Sequence, residues 1–162
     1  MAAVDYFLKL DGIDGESSDS KHKGEIDITS WSWGATQSGT MAYGGGGGAG
    51  KVQMQDFHFV MNHSKASPKL MLACASGEHI KSATLTCRKA GKDQQEFLKI
   101  VFSDLLVSSF QTGGSNGSEI VPQDQVTLNF AKIEHEYKEQ ASDGTLKGPI
   151  KAGWNLKENK KV

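Results

Sequence analysis

The chain has 162 residues with 18 Lys and Arg against 19 Asp and Glu, a formal net charge of -1, a size that suits one domain spanning residues 1–162. Seventeen of the 18 cations are lysines and Arg88 is the single arginine, so the clustered cations and guanidinium forks that read phosphate are missing and a nucleic-acid-binding role is excluded. The near-neutral balance speaks against a polybasic membrane anchor, and the longest apolar run, Leu70 to Ala75, is six residues against the ~20 of a membrane span.

In chain order, Val4, Tyr6, Leu8 and Leu10 alternate with Asp5 and Lys9, the period of a half-buried strand. The segment Glu25 to Trp33 places Ile26 and Ile28 on one side, then flips its apolar phase to Trp31 and Trp33. Either a bulge near Thr29 and Ser30 or partial cover on both faces accounts for the flip. The stretch from Val52 to Met61, carrying Met54, Phe57 and Phe59, shows a similar phase change. A helix is predicted with Ser67 as its cap, Pro68 in the first turn and Gly77 as the left-handed C-terminal residue. Its stripe of Leu70, Met71, Cys74 and Ala75 is placed to cover an open end of a barrel.

Further strands follow at short spacing. Ala83, Leu85 and Cys87 alternate, as do Leu98, Ile100 and Phe102, with another strand expected from Leu105 to Phe110 after a bend. Val126, Leu128 and Phe130 share a face, after which Ala131, Ile133, His135 and Tyr137 continue with the opposite parity. Breakers such as Gly113-Gly114, Asn116-Gly117, Asp143-Gly144 and Gly148-Pro149 punctuate the series. The fold class read from this pattern is mainly β, a small closed barrel with one short helix and a long Gly-rich loop.

Glycine makes up 19 of the residues, and Gly44, Gly45, Gly46, Gly47, Gly48 and Gly50 fall together. Gly45 to Lys51 matches the opening of a phosphate-binding loop, but Val52 stands where Ser or Thr must hold magnesium and a strand is expected where a helix is needed. Thr36, Gln37, Ser38, Thr40, Met41 and Tyr43 lead into the glycines with hydrogen-bonding and some apolar capacity. The stretch reads equally as a free surface loop or as an arm that orders against a neighbouring subunit.

No catalytic, metal or cofactor site is predicted. The five histidines lack HExxH spacing, Cys74 and Cys87 lack CxxC partners, and Ser64 and Ser67 lack a nucleophile elbow. Pairing of His22 with Asp27 and of His58 with Asp56 is possible on spacing and carries no catalytic meaning by itself. Both cysteines read as thiols, too few for a disulfide scaffold.

A set of motifs runs through Gly15 to Asp19, His22, Glu25-Ile26-Asp27, Trp31-Ser32-Trp33-Gly34, the glycine stretch ending at Val52, and Ser67 to Met71. It continues through Cys74 to Gly77, Arg88 to Gly91, Thr112-Gly113-Gly114, Val126 to Phe130 and Gly153-Trp154-Asn155, in order over residues 4 to 157. Taken together these motifs resemble the Hcp family, the tube protein of type VI secretion systems. The resemblance implies a barrel that assembles into a homohexameric ring, with rings stacked into a hollow tube, sheathed by contractile proteins, tipped by a spike protein and carrying small effectors in the lumen. It also implies a cytoplasmic protein that is later secreted without a cleaved signal peptide, in agreement with a start that lacks a basic leader segment, and no fused effector domain beyond Leu156.

Strand alternation sets Ser32 on the face opposite Trp31 and Trp33. With the two tryptophans as core aromatics, the resemblance makes the Ser32 face the lumen. The arm from Thr36 to Gly50 is then the subunit or ring-stacking loop. The alternative reading is a free-standing ligand- or carbohydrate-binding barrel module.

Overall fold

The computed structural model describes residues 4–39, 50–91, 93–117 and 121–162. Its strands are β1 (Val4–Leu10), β2 (Ile26–Asp27), β3 (Ser30–Ser32), β4 (Ala35–Thr36), β5 (Gln53–Met54) and β6 (Phe57–Asn62). Helix α1 (Ala66–Ser76) follows, then β7 (Ile80–Lys89), β8 (Glu96–Gly113), β9 (Gln123–Gln140), β10 (Leu146–Asn155) and β11 (Lys160–Lys161). Every strand pairing is antiparallel.

The apolar phase flip between Ile28 and Trp31 has a definite cause. Strand β2 pairs with β1, whereas β3 pairs with β6. In between, the Ile28 N–H donates to Tyr6 O at 3.2 Å and the next N–H, of Thr29, donates to Val60 O at 2.8 Å. The chain thus changes partner within one residue, and the hydrogen-bonded path runs from β1 through this crossing segment to β6, β9, β8, β7 and back to β1. That circuit is the barrel. Its core holds Leu8, Phe57, Phe59, Met61, Leu85, Ile100, Phe102, Val126 and Leu128, all fully buried, each contributing about 2–3 kcal/mol by area.

Several sequence expectations are corrected. The bend after Phe102 does not end a strand. β8 runs unbroken through Asp104, which takes φ 52°, and the inward set steps from Phe102 to Leu105. β9 makes the matching step from Phe130 to Ile133 directly opposite, so both parities read from the sequence belong to one strand. β10, a ten-residue strand, was not foreseen: Gly148-Pro149, read as a breaker, lies inside it, where the pairing with β9 shifts register between Leu146 and Pro149.

Ser67 is not the helix cap. Lys65 occupies that position, and Ser67 lies inside α1, where its Oγ accepts the Ser64 N–H at 3.0 Å and donates to the buried carboxylate of Asp124 on β9. Burial alone would raise the Asp124 pKa; hydrogen bonds from Ser67, Thr112 and His63 outweigh it and hold the carboxyl below its usual range. This buried anchor sets the roll of the helix. Ala66, Leu70 and Ala73 face the core with Cys74 beside them, while Met71, predicted inside, is 52% exposed and Ala75 is exposed. Gly77 ends the helix at φ 67° as expected.

The loop from Gly12 to Glu25 folds as a compact flap on the outer face of β1 and β7. Gly15 N–H donates to Gly24 O and Ser17 N–H to Glu25 O. Gly15 is obligatory, because a Cβ there would sit 2.5 Å from Glu25 O. The flap is pinned by Arg88, itself only 2% exposed, whose guanidinium donates to both oxygens of Asp19 at 3.0 and 2.7 Å and to Asp5 at 3.2 Å. Hydrogen bonds from Arg88, then from the Lys21 N–H, hold the Asp19 carboxyl well below the usual carboxylate range.

Asp19→Asn removes one of two anions from a buried cation and is expected to cost about 3 kcal/mol at neutral pH. Because the folded-state pKa of Asp19 is depressed, its contribution is complete above the unfolded value and is lost as pH falls through the acid range. Denaturant unfolding at fixed chain concentration checks both points: the gap between wild type and variant is wide at pH 7 and narrows below about pH 4.

Candidate functional site

The sheet β3–β6–β9–β8 turns its core side inward and leaves its other side open. Cross-strand register lines up Ser32, His58, Thr127 and Ser109 in one row across all four strands. The next row is Ser30, Val60, Gln125 and Gln111, and beyond it Asn62, Gln123 and Gly113. Among the described residues these rows contain no Lys, Arg, Asp or Glu. The one nearby carboxylate, Asp56, spends both oxygens locally, accepting from Ser108 Oγ at 2.7 Å and Asn129 Nδ2 at 2.8 Å. Thr127 Oγ1 also bonds Ser108 Oγ at 2.7 Å and Ser109 Oγ at 2.5 Å.

The outer face of β7–β8–β9–β10 has different chemistry. Its rows read Thr86, Lys99, Glu136, Lys151 and Thr84, Val101, Glu134, Gly153. One fold therefore presents a neutral hydrogen-bonding wall on one side and an alternating-charge surface on the other.

The edges of the neutral wall are open. β7 pairs with β8 only as far as Leu105, so Leu106 to Gly113 of β8 has a partner on the β9 side alone among the described strands. At the opposite end β3 pairs with β6 alone among the described strands. Neither Leu106–Gly113 nor Ser30–Thr36 contains a lysine or proline, the residues that commonly blunt a free edge. On the other side, β11 covers the end of β10 at Trp154 and Asn155, and the rest of the β10 edge is guarded by Lys147, Pro149 and Lys151.

Of the residues singled out in the sequence, Ser32 is exposed on the neutral wall as alternation required. Trp31 and Trp33 lie on the opposite side but are half-buried rather than interior, packed against the margin of the core. Trp31 meets Tyr6 edge-on at 6.1 Å and tilts over Phe57 at 6.3 Å, and Trp33 meets His135 edge-on at 6.3 Å. The Gly-rich stretch departs from a two-stranded stem in which Ala35 pairs with Met54 and Thr36 with Gln53. Thr36, Gln37 and Ser38 are exposed on it, with the Ser38 side chain lying beside Gly50. Thr40, Met41, Tyr43 and Gly44 to Gly48 lie outside the described residues.

His58, Thr127, Ser109, Gln125 and Gln111 escaped the sequence reading as site residues. Their signal was present in Gln123, Gln125, Thr127 and Asn129, an alternate set of β9 positions free of charge. Neither suggested His–Asp pair forms in the way foreseen. His22 meets Glu25 and Glu96, and Asp56 is held by Ser108 and Asn129.

The fold and this wall define a mainly β barrel protein with a neutral, hydrogen-bonding outer sheet face. The family model described as "Type VI secretion system effector, Hcp" matches residues 7–137. The Pseudomonas aeruginosa Protein hcp1 is 50% identical over 159 residues, covering 97% of this chain and 98% of that protein. The crystal structure of Hcp1 from Salmonella typhimurium superposes with a TM-score of 0.83 at 42% identity, covering 99% of this chain and 100% of that one. A structure of a type six secretion system protein gives 0.94 at 33% identity, again over 99% and 100%. The chain belongs to the Hcp family and is a structural subunit of the type VI secretion tube.

Proposed function

We propose that this chain closes into a homohexameric ring through the two open edges of its neutral sheet, with the Ser32 wall facing the lumen. The observation that carries the reading is the contrast between edges. β8 beyond Leu105 and β3 expose unpaired, unguarded backbone, while β10 is blunted. An edge of one copy joined to the other edge of the next is a heterologous contact, which closes into a ring when the rotation per copy divides a full turn. Membership of the Hcp family supports the number six; the edges set only that copies join head to tail.

In that ring the row Ser32, His58, Thr127 and Ser109 lines the channel, and small effector proteins ride against it. Short hydroxyl and amide side chains leave room and offer hydrogen bonds without an adhesive apolar surface. The stem at Ala35–Thr36 and Gln53–Met54 carries the Gly-rich arm toward the next subunit or ring, and stacking through a modest polar contact suits reversible tube growth. Contractile sheath proteins surround the tube and a spike protein tips it. The subunit is held in the cytoplasm before firing and leaves with the tube.

Size-exclusion chromatography with light scattering is expected to give about six times the 17.5 kDa chain mass. Thr112→Pro, which removes a backbone N–H that β8 turns toward its open edge, is expected to reduce this to the monomer mass with the far-ultraviolet spectrum retained; an intact ring in that variant overturns the edge assignment. Ser32→Gln is expected to lower effector co-purification several-fold while the ring mass stays unchanged, and unaltered effector recovery argues against the lumen role. Replacing Gly44–Gly48 with alanine is expected to shorten tubes seen by electron microscopy without loss of rings, and tubes of normal length count against the arm.

A further inference from the structure

His22 is buried, 7% exposed, and both of its ring nitrogens face carboxylates: Nδ1 lies 2.8 Å from Glu25 Oε2 and Nε2 lies 2.7 Å from Glu96 Oε1. Its ring stacks on Phe7 at 4.3 Å with planes 9° apart, which covers one face of the imidazole. A neutral imidazole has one N–H and one lone pair, and an ionised carboxylate only accepts. Neutral His22 therefore satisfies one of these contacts and sets its lone pair against the other carboxylate. The arrangement needs one proton more than a neutral ring and two carboxylates contain.

The surroundings do not supply a substitute charge. Arg88 of β7 reaches the same Phe7 ring, 4.8 Å from its centroid, but it is engaged by Asp19 of the flap and Asp5 of β1. Asp27 of β2 adds another carboxylate nearby, raised above its usual pKa by burial and then by Asp19, Asp5 and Glu25. Lys21 and Lys23, the flanking cations on the flap, are exposed.

We propose that His22 is a proton-dependent latch that ties the Gly12–Glu25 flap to the start of β8 and releases that tie as pH rises. Glu25 is on the flap itself and its side chain is 15% exposed; Glu96 belongs to β8 and is 45% exposed. When the proton leaves, the contact surrendered is the one to Glu96, because the hydrated carboxylate finds water more easily. The Arg88–Asp19 pin does not titrate over this range, so the flap loosens at its His22 end while remaining attached at Asp19. This latch lies apart from the wall and edges assigned to the tube and does not depend on them.

Hydrogen exchange by mass spectrometry on the assembled protein tests this, with rates corrected for the intrinsic pH dependence of free amides. The flap amides of Gly15, Ser17, Gly24 and Glu25 are expected to lose about tenfold protection between pH 6 and pH 8.5, the scale of one charge-assisted hydrogen bond. Peptides covering Leu85 to Cys87 in the core of β7 serve as the unchanging reference. Glu96→Gln, whose amide can donate to the lone pair or accept from the N–H, is expected to keep the flap protected across the range. Glu96→Ala is expected to give low flap protection at both pH values. Flat wild-type protection, a Gln variant that loosens as the wild type does, or an Ala variant that stays fully protected each overturns the latch.

Discussion

A single change of hydrogen-bonding partner, made between Ile28 and Thr29, closes this molecule. With Ile28 donating to β1 and Thr29 to β6, one short segment ties the β1 end of the long sheet to its β6 end. The change also reverses which side chains face inward: Ile26 and Ile28 are buried before it, whereas after it Trp31 packs at the core margin and Ser30 and Ser32 turn outward. The position of the neutral wall is thus a consequence of how the barrel is shut.

The long strands β8 and β9 carry that constraint through the rest of the fold. Each serves both sheets, and each steps its inward set by one residue at the same level, between Phe102 and Leu105 and between Phe130 and Ile133. A step on one strand alone would put its apolar side chains opposite its partner's polar ones. Made together on paired strands, the steps let the sheet coil while the apolar layer stays continuous. The surface that results is divided by chemistry, with hydroxyls and amides over β3–β6–β9–β8 and alternating lysine and glutamate over β8–β9–β10. Unguarded edges bound the first and a guarded edge bounds the second, a pairing that suits a subunit whose neutral sheet continues into a neighbour and whose charged sheet does not.

Outside the barrel, the lone arginine organises the flap. Its burial would be costly without Asp19 and Asp5, and its forked geometry holds both oxygens of Asp19 in a way a lysine could not. Phe7, which alternation from Val4 to Leu10 would place toward solvent, is 4% exposed because the flap lies over it with His22 stacked on its ring. The two-sided burial of β1 is a property of the flap and not of the strand.

The sequence by itself determined the mainly β class, the single helix and its glycine stop, the side of the strand on which Ser32 lies, and, through motifs spread over nearly the whole chain, the Hcp family. These are legible because strand and helix periods are local, set by side-chain alternation and by backbone sterics at residues such as Gly77. Tertiary structure alone decided that Ser67 bonds a buried aspartate on β9 instead of capping its helix, that Met71 lies outside and Ala73 inside, and that His22 reaches Glu96. It also decided that Ser32, His58, Thr127 and Ser109 form one row. Each of those depends on register or contact between segments distant along the chain, and local periodicity contains no information about which strand will lie beside which.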